Sequence, residues 1–181
     1  MSGQIKISET IYLESITIED ASELYDLMED IYPKAYDYFW VDNGDWYLNS
    51  LYNKSNIQTE LNESNSIYSF IIVDNEKVGI LRLLHDKTYA VYADEKSSKL
   101  HRMYLHPKNH GKGIAIILMN WVMEECRKAG SEMLWLDAMD TKAQALQFYK
   151  KMGFQIGSHE ILPFERLKIE NRGMYQMWRK I

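Results

Sequence analysis

Apolar and polar positions along the chain change period several times, and each change predicts an element. Residues 11 to 15 alternate loosely and read as a first strand. Thr17-Ile18-Glu19-Asp20 follows as a helix start, with Thr17 as N-cap and Asp20 three positions on. Leu24, Leu27 and Ile31 then recur at spacings of three and four with Met28 beside them, so a helix with one apolar face is expected through about Ile31, ended by Pro33. Residues 53 to 66 are polar and read as a loop or a frayed helix end. Residues 67 to 73 and 78 to 84 are strand-like runs joined by Asp74-Asn75-Glu76-Lys77, which predicts a hairpin. A shorter run, residues 89 to 92, is expected to extend that sheet.

Residues 100 to 105 form a strand that feeds a turn containing Gly111 and Gly113. Ile114, Ile117, Leu118, Trp121, Val122 and Cys126 then follow helical spacing, with Gly130 closing the helix. Residues 133 to 138 read as a buried strand. Thr141-Lys142-Ala143-Gln144 has capping-box form and opens a helix on which Ala145, Leu146, Phe148, Tyr149 and Met152 lie together, stopped by Gly153. Residues 154 to 162 and 172 to 179 give two further strands. No repeat, low-complexity tract or linker interrupts the pattern, so a single domain over residues 1 to 181 is expected, an α/β or α+β sandwich with a mixed central sheet.

Composition narrows the function classes. A net charge of −5 over 181 residues argues against nucleic acid, whose binders carry a basic patch, and suits a small cationic substrate better. Cys126 is the single cysteine, so no intrachain disulfide forms. The sequence shows neither a signal-peptide pattern at its start nor an apolar run near the ~20 residues a membrane span needs; a cytoplasmic protein without membrane partners is expected.

The strand, glycine turn and helix start over residues 100 to 115 carry the chemistry. Glycines let backbone approach a ligand closely, and the free N–H groups of a helix's first turn suit phosphate. No G-x-G-x-x-G or G-x-x-x-x-G-K-[ST] run is present, which removes the dinucleotide and Walker readings. His110-Gly111-Lys112-Gly113-Ile114-Ala115 resembles the acyl-coenzyme A loop of the GNAT N-acetyltransferase superfamily, with His110 where arginine or glutamine is usual. A second stretch, Trp135-Leu136-Asp137-Ala138 followed by Ala145 to Phe154, resembles that family's strand and A-x-x-F-Y-x-K-x-G-F landmark, with Lys142 where asparagine is frequent. The resemblance implies a GNAT-like fold: a central mixed, mostly antiparallel twisted sheet flanked by about four helices.

It also implies roles. Acetyl transfer to an amine needs a deprotonated amine, a polarised carbonyl and a protonated leaving thiolate. The resemblance assigns Tyr149 as general acid and places His101, in the register where glutamate often precedes a basic residue, as base. It assigns contacts to acetyl-coenzyme A to Met103, Tyr104 and Leu105 on the strand and to His110, Gly111, Lys112, Gly113, Ile114 and Ala115 in the turn. Lys142, Ala145, Phe148 and Tyr149 complete that set. Asp37, Asp42 and Asp45, interleaved with the aromatic residues of 32 to 52, are candidate contacts for an ammonium substrate. Those rings alternatively pack the helices against the sheet or a second copy, so a homodimer stays open. His101, His106 and His110 lack a completing ligand motif, and no metal is expected. The expected activity is transfer of acetyl from acetyl-coenzyme A to a small, polyamine-like primary amine. The alternatives are acetylation of a protein N-terminus or lysine, and a non-catalytic acyl-coenzyme A sensor.

Overall fold

The computed structural model describes residues 3–181. Its strands are β1 (Gln4–Lys6), β2 (Ile11–Ser15), β3 (Ser66–Val73), β4 (Glu76–Leu84), β5 (Ser97–Leu105), β6 (Met133–Met139), β7 (Gln155–Ile161) and β8 (Gly173–Lys180). Its helices are α1 (Ala21–Tyr36), α2 (Asp45–Leu51), α3 (Lys54–Leu61), α4 (Ile114–Lys128) and α5 (Ala143–Lys151). The strands order as β1-β2-β3-β4-β5-β6-β8-β7 in one mostly antiparallel sheet, with β5 and β6 parallel. This is the mixed α/β architecture the resemblance implies, with five α-helices where about four were expected. No described helix is long and apolar enough to cross a membrane. Backbone contacts divide the chain into two compact units, the first running to Arg82 and resuming over Arg102–Leu118, the second comprising Leu83–His101 and Met119–Ile181.

In the first unit β2 and β3 pair from Ile11↔Val73 to Ser15↔Ser69, and Leu13, Leu24, Met28, Phe70, Ile71 and Ile80 are fully buried. The Asp20 carboxylate accepts the Thr17 backbone N–H at 2.8 Å, but that cap opens a 3-10 turn over Ile18–Asp20, and α1 begins at Ala21. Pro33 does not end α1, which continues to Tyr36. Proline in a helix removes one backbone bond; here Tyr32 and Tyr36 stack at 5.0 Å across it, and the Asp37 N–H reaches the Pro33 carbonyl. Residues 54 to 61, within the stretch expected as a loop or a frayed helix end, form the separate helix α3, which Asn53 caps by accepting the Asn56 N–H at 2.9 Å and in which Ile57 buries completely.

A buried ion network ties α3 to the strands of this unit. Arg102 donates to both carboxylate oxygens of Glu60, at 2.7 and 2.8 Å, and Arg82 donates to Glu63 at 2.6 Å. Arg102 also lies 5.4 Å from the Tyr52 ring centroid. On β4, a side chain at Gly79 would meet the Tyr104 carbonyl oxygen at 2.0 Å, so only glycine admits that approach of backbone.

In the second unit β5 and β6 pair from Ser97↔Met133 to Leu100↔Leu136, and β8 pairs antiparallel with both β6 and β7. The run at 89 to 92 is a 3-10 turn, not a strand. Tyr89 is held there by its stack on Trp135, 5.3 Å between centroids, and by its N–H bond to Ser97 Oγ at 3.0 Å. Gly130, at φ +79°, closes α4 as expected. On α4, Val122 and Cys126 are buried, while Ile117, expected on the same apolar face, is 39% exposed.

Removing one member of a buried ion pair strands the other, which costs about 3–5 kcal/mol. Arg102→Met should therefore lower the unfolding free energy in urea by about that amount. Lys108→Ala, which breaks an exposed pair with Glu76, should change it by less than about 1 kcal/mol.

Candidate active site

The turn that leaves β5 is built in the first unit. The His106 N–H bonds the Val78 carbonyl at 2.8 Å, and a 3-10 turn over Pro107–Asn109 follows. Gly111 and Gly113 then take φ of +74° and +78°, where side-chain-bearing residues are strained. A Cβ built on either would meet nothing within 4 Å, so the bend is open above both. Among the described residues, the amides of Gly111, Lys112, Gly113, Ile114 and Ala115 bond no other group; the Ile116 and Ile117 amides are the first to turn back, onto the Gly113 carbonyl. Five successive free N–H groups at a helix start form an anion cradle by geometry and by the helix dipole.

The flanking side chains hold this bend. The His110 Nε2–H donates to the Leu105 carbonyl at 3.0 Å, so His110 pins the turn to its strand. Lys112 donates to Asn109 Oδ1 at 3.2 Å beside the amides, keeping a positive charge at the cradle. His106 Nδ1 accepts the Lys108 N–H, which leaves Nε2–H for Asp30, 3.2 Å away, with Lys34 at the same distance. Met103 is half-buried and Leu105 buried on β5.

Tyr104 turns its ring into an aromatic cluster. Its hydroxyl meets that of Tyr47 at 3.0 Å, and its ring edge faces Tyr32 and Tyr36, both at 5.8 Å. Tyr32 stacks on Tyr47 at 4.2 Å and accepts the Trp40 Nε1–H at 2.9 Å. Most of the 32 to 52 aromatics thus pack one another. Of the candidate carboxylates, Asp37 accepts its neighbour's N–H, and Asp42 accepts those of Gly44 and Trp46. Asp45 is exposed at the start of α2. Burial first, then the carboxylates of Glu29, Asp45 and Asp26, raise the phenol of Tyr25 above its ordinary range, which marks an acidic face on α1 and α2.

The second unit holds His101, half-buried on β5, and the α5 candidates Lys142, Ala145, Phe148 and Tyr149. Lys142 is the N-cap residue of α5, and the expected capping box does not form: Thr141 Oγ1 donates to Asn171 at 3.1 Å instead. Tyr149 packs edge-on to Phe148 and Phe154, at 5.4 and 5.8 Å. Burial pushes its phenol up to about 12, so it keeps its proton at neutral pH, and its hydroxyl bonds no described residue. One pair was missed by sequence reading: His159 Nε2 meets Asp140 Oδ2 at 2.8 Å. Nineteen residues separate the two, with no spacing signal to join them. Cys126 is buried, and that burial raises its thiol to about 11, which excludes it as a nucleophile near neutrality. Among the described residues no group of three or more His, Cys, Asp or Glu side chains is arranged to hold a metal ion.

The sequence profile of the acetyltransferase (GNAT) family matches residues 21–154. An N-acetyltransferase of Mycobacterium tuberculosis, itself uncharacterised, is 28% identical over 127 residues, covering 67% of this chain and 79% of that protein. Among solved structures, the PaiA N-acetyltransferase of Thermoplasma acidophilum, in complex with coenzyme A, matches with a TM-score of 0.72 at 19% identity, over 95% of this chain and 99% of that one. The spermidine N-acetyltransferase SpeG of Vibrio cholerae matches with a TM-score of 0.66 at 13% identity, over 96% and 95%. The chain belongs to the GNAT family of acyl-coenzyme A-dependent N-acetyltransferases.

Burial foremost, then Lys34, lowers the His106 pKa below its ordinary value near 6.5, so the folded state disfavours the imidazolium that the unfolded chain forms. Stability should be complete above about pH 6.5 and fall as pH drops from there towards the folded pKa, levelling below it. Urea titrations at pH 7.5 and 5.0 should show this loss, and His106→Asn should reduce it.

Proposed function

We propose that this protein transfers acetyl from acetyl-coenzyme A directly to a small primary amine carrying further positive charge. The observation that carries the reading is the open glycine turn, whose five uncommitted amides and adjacent Lys112 suit a diphosphate. Residues Met103 to Leu105 lead into this turn and offer backbone groups to the pantetheine arm. Ala145 and Phe148 lie on the helix that carries Tyr149, and Lys142 caps it. Tyr149, protonated at working pH, gives its proton to the thiolate as the carbon–sulfur bond breaks. The sequence register offers His101 to take the proton of the amine.

Support for a cationic acceptor comes from the net charge of −5 and from Asp26, Glu29 and Asp45 gathered about Tyr25. Asp37 and Asp42, engaged with their local backbone, contribute field more than direct contact. A relative of similar fold is named for its action on spermidine, which fits an amine of this kind.

Acetyl-coenzyme A at 100 times its Kd should stabilise the protein by about 2.7 kcal/mol in a thermal-shift assay. Gly113→Val, straining a positive φ and crowding the amides, should abolish that protection. Tyr149→Phe should leave the protection intact and lower kcat on the best amine of a polyamine and peptide panel by about 10²-fold. Peptide acetylation in preference to polyamines would overturn the acceptor assignment, and protection without turnover on any amine would overturn the enzymatic one.

A further inference from the structure

We propose that His159, oriented by Asp140, takes the proton from the acceptor amine, in place of His101. The inference rests on the acetyl transfer proposed above. His159 lies on β7, 43% exposed at its side chain, and its Nε2 meets Asp140 Oδ2 at 2.8 Å. A carboxylate can only accept, so Nε2 carries the hydrogen, and in the neutral ring the lone pair is then on Nδ1. Nδ1 bonds no described residue. This is the arrangement in which a carboxylate fixes the tautomer of an imidazole base and stabilises the imidazolium it becomes.

The fold builds the pair deliberately. Asp140 directly follows the last residue of β6, in the turn that leads to α5. Its N–H bonds the Gly173 carbonyl at 3.0 Å. A side chain at Gly173 would meet Asp140 Oδ2 at 1.8 Å, so β8 leaves the carboxylate a seat only because glycine stands there. The β7–β8 register sets His159 opposite Tyr175, whose ring packs on the imidazole with centroids 4.8 Å apart. The imidazole meets two titratable residues, the Asp140 carboxylate from the turn after β6 and the Tyr175 ring from β8. Glu160 on β7 alternates to the opposite side. Asp140 Oδ1 is buried without a partner, so the carboxylate charge is not shared with any other donor. Three residues beyond Asp140, α5 begins, and it carries Tyr149.

An ammonium proton passes to His159 Nδ1, and the freed nitrogen lone pair forms the bond to the thioester carbonyl carbon. The carbon–sulfur bond breaks with its electron pair on sulfur and Tyr149 protonates that sulfur; the second proton of the now cationic nitrogen passes to the Tyr149 oxygen and the imidazolium proton leaves to solvent, so that a neutral amide, the free thiol and one released proton result.

The test is kcat/KM for the best amine from pH 6 to 10 in wild type, His159→Ala, Asp140→Asn and His101→Ala, with acetyl-coenzyme A protection measured in each. His159→Ala should lose about 10²-fold at pH 7, recover as pH approaches 10 and the amine deprotonates unaided, and regain activity with added imidazole. Asp140→Asn should shift the acidic limb to lower pH, since the imidazolium loses its carboxylate, with protection unchanged. A His159→Ala defect equal at every pH and deaf to imidazole, or loss of the acidic limb in His101→Ala alone, overturns the assignment while leaving acetyl transfer standing. A wild type that neither binds acetyl-coenzyme A nor acetylates any amine overturns both.

Discussion

The Arg102 guanidinium is buried at 6% exposure, and a charge so placed must be answered where it lies. Glu60 answers it with both oxygens, and the same carboxylate is reached by Arg82 at 3.4 Å. A helix that is only eight residues long, with little apolar surface of its own, is thereby bound to β5. The constraint propagates along the strand by alternation. With Arg102 fixed, Tyr104 falls on the same face and enters the tyrosine cluster, and Leu105 ends the strand with its carbonyl in reach of His110. The glycine bend starts from that fixed end.

Much of this was legible in the residues. The strand, glycine bend and helix start carry strong local signals, since positive φ, orphan amides and apolar periodicity all act within a few residues. The hairpin at Asp74 and Asn75 was legible for the same reason, and both indeed take positive φ. What escaped depends on partners distant in sequence. Residues 54 to 61 look polar because Glu60 is paid no attention by periodicity, yet Arg102, 42 positions on, makes it a buried residue. The run at 89 to 92 has strand-like composition, but Trp135 and Ser97 claim Tyr89 for a turn. Pro33 is a sound stop signal, yet α1 runs past it to Tyr36, where Tyr32 and Tyr36 both pack against the edge of Tyr104, far along the chain.

The candidate site divides along the same line. The cradle is made of backbone, so its residue types announce it. The Asp140–His159 pair is made by strand register, where β8 brings a glycine between two other strands, and neither residue is conspicuous alone. His110 shows the converse: its departure from the family pattern is accommodated because an imidazole reaches the Leu105 carbonyl and holds the bend.

Cys126 has a practical consequence. Because the chain's single thiol is fully buried and holds its proton to about pH 11, the folded protein presents almost no thiolate to an electrophilic dye. Any sulfhydryl that such a dye detects during turnover comes from the donor after its acyl group has gone, so the reaction can be watched continuously without a protein background.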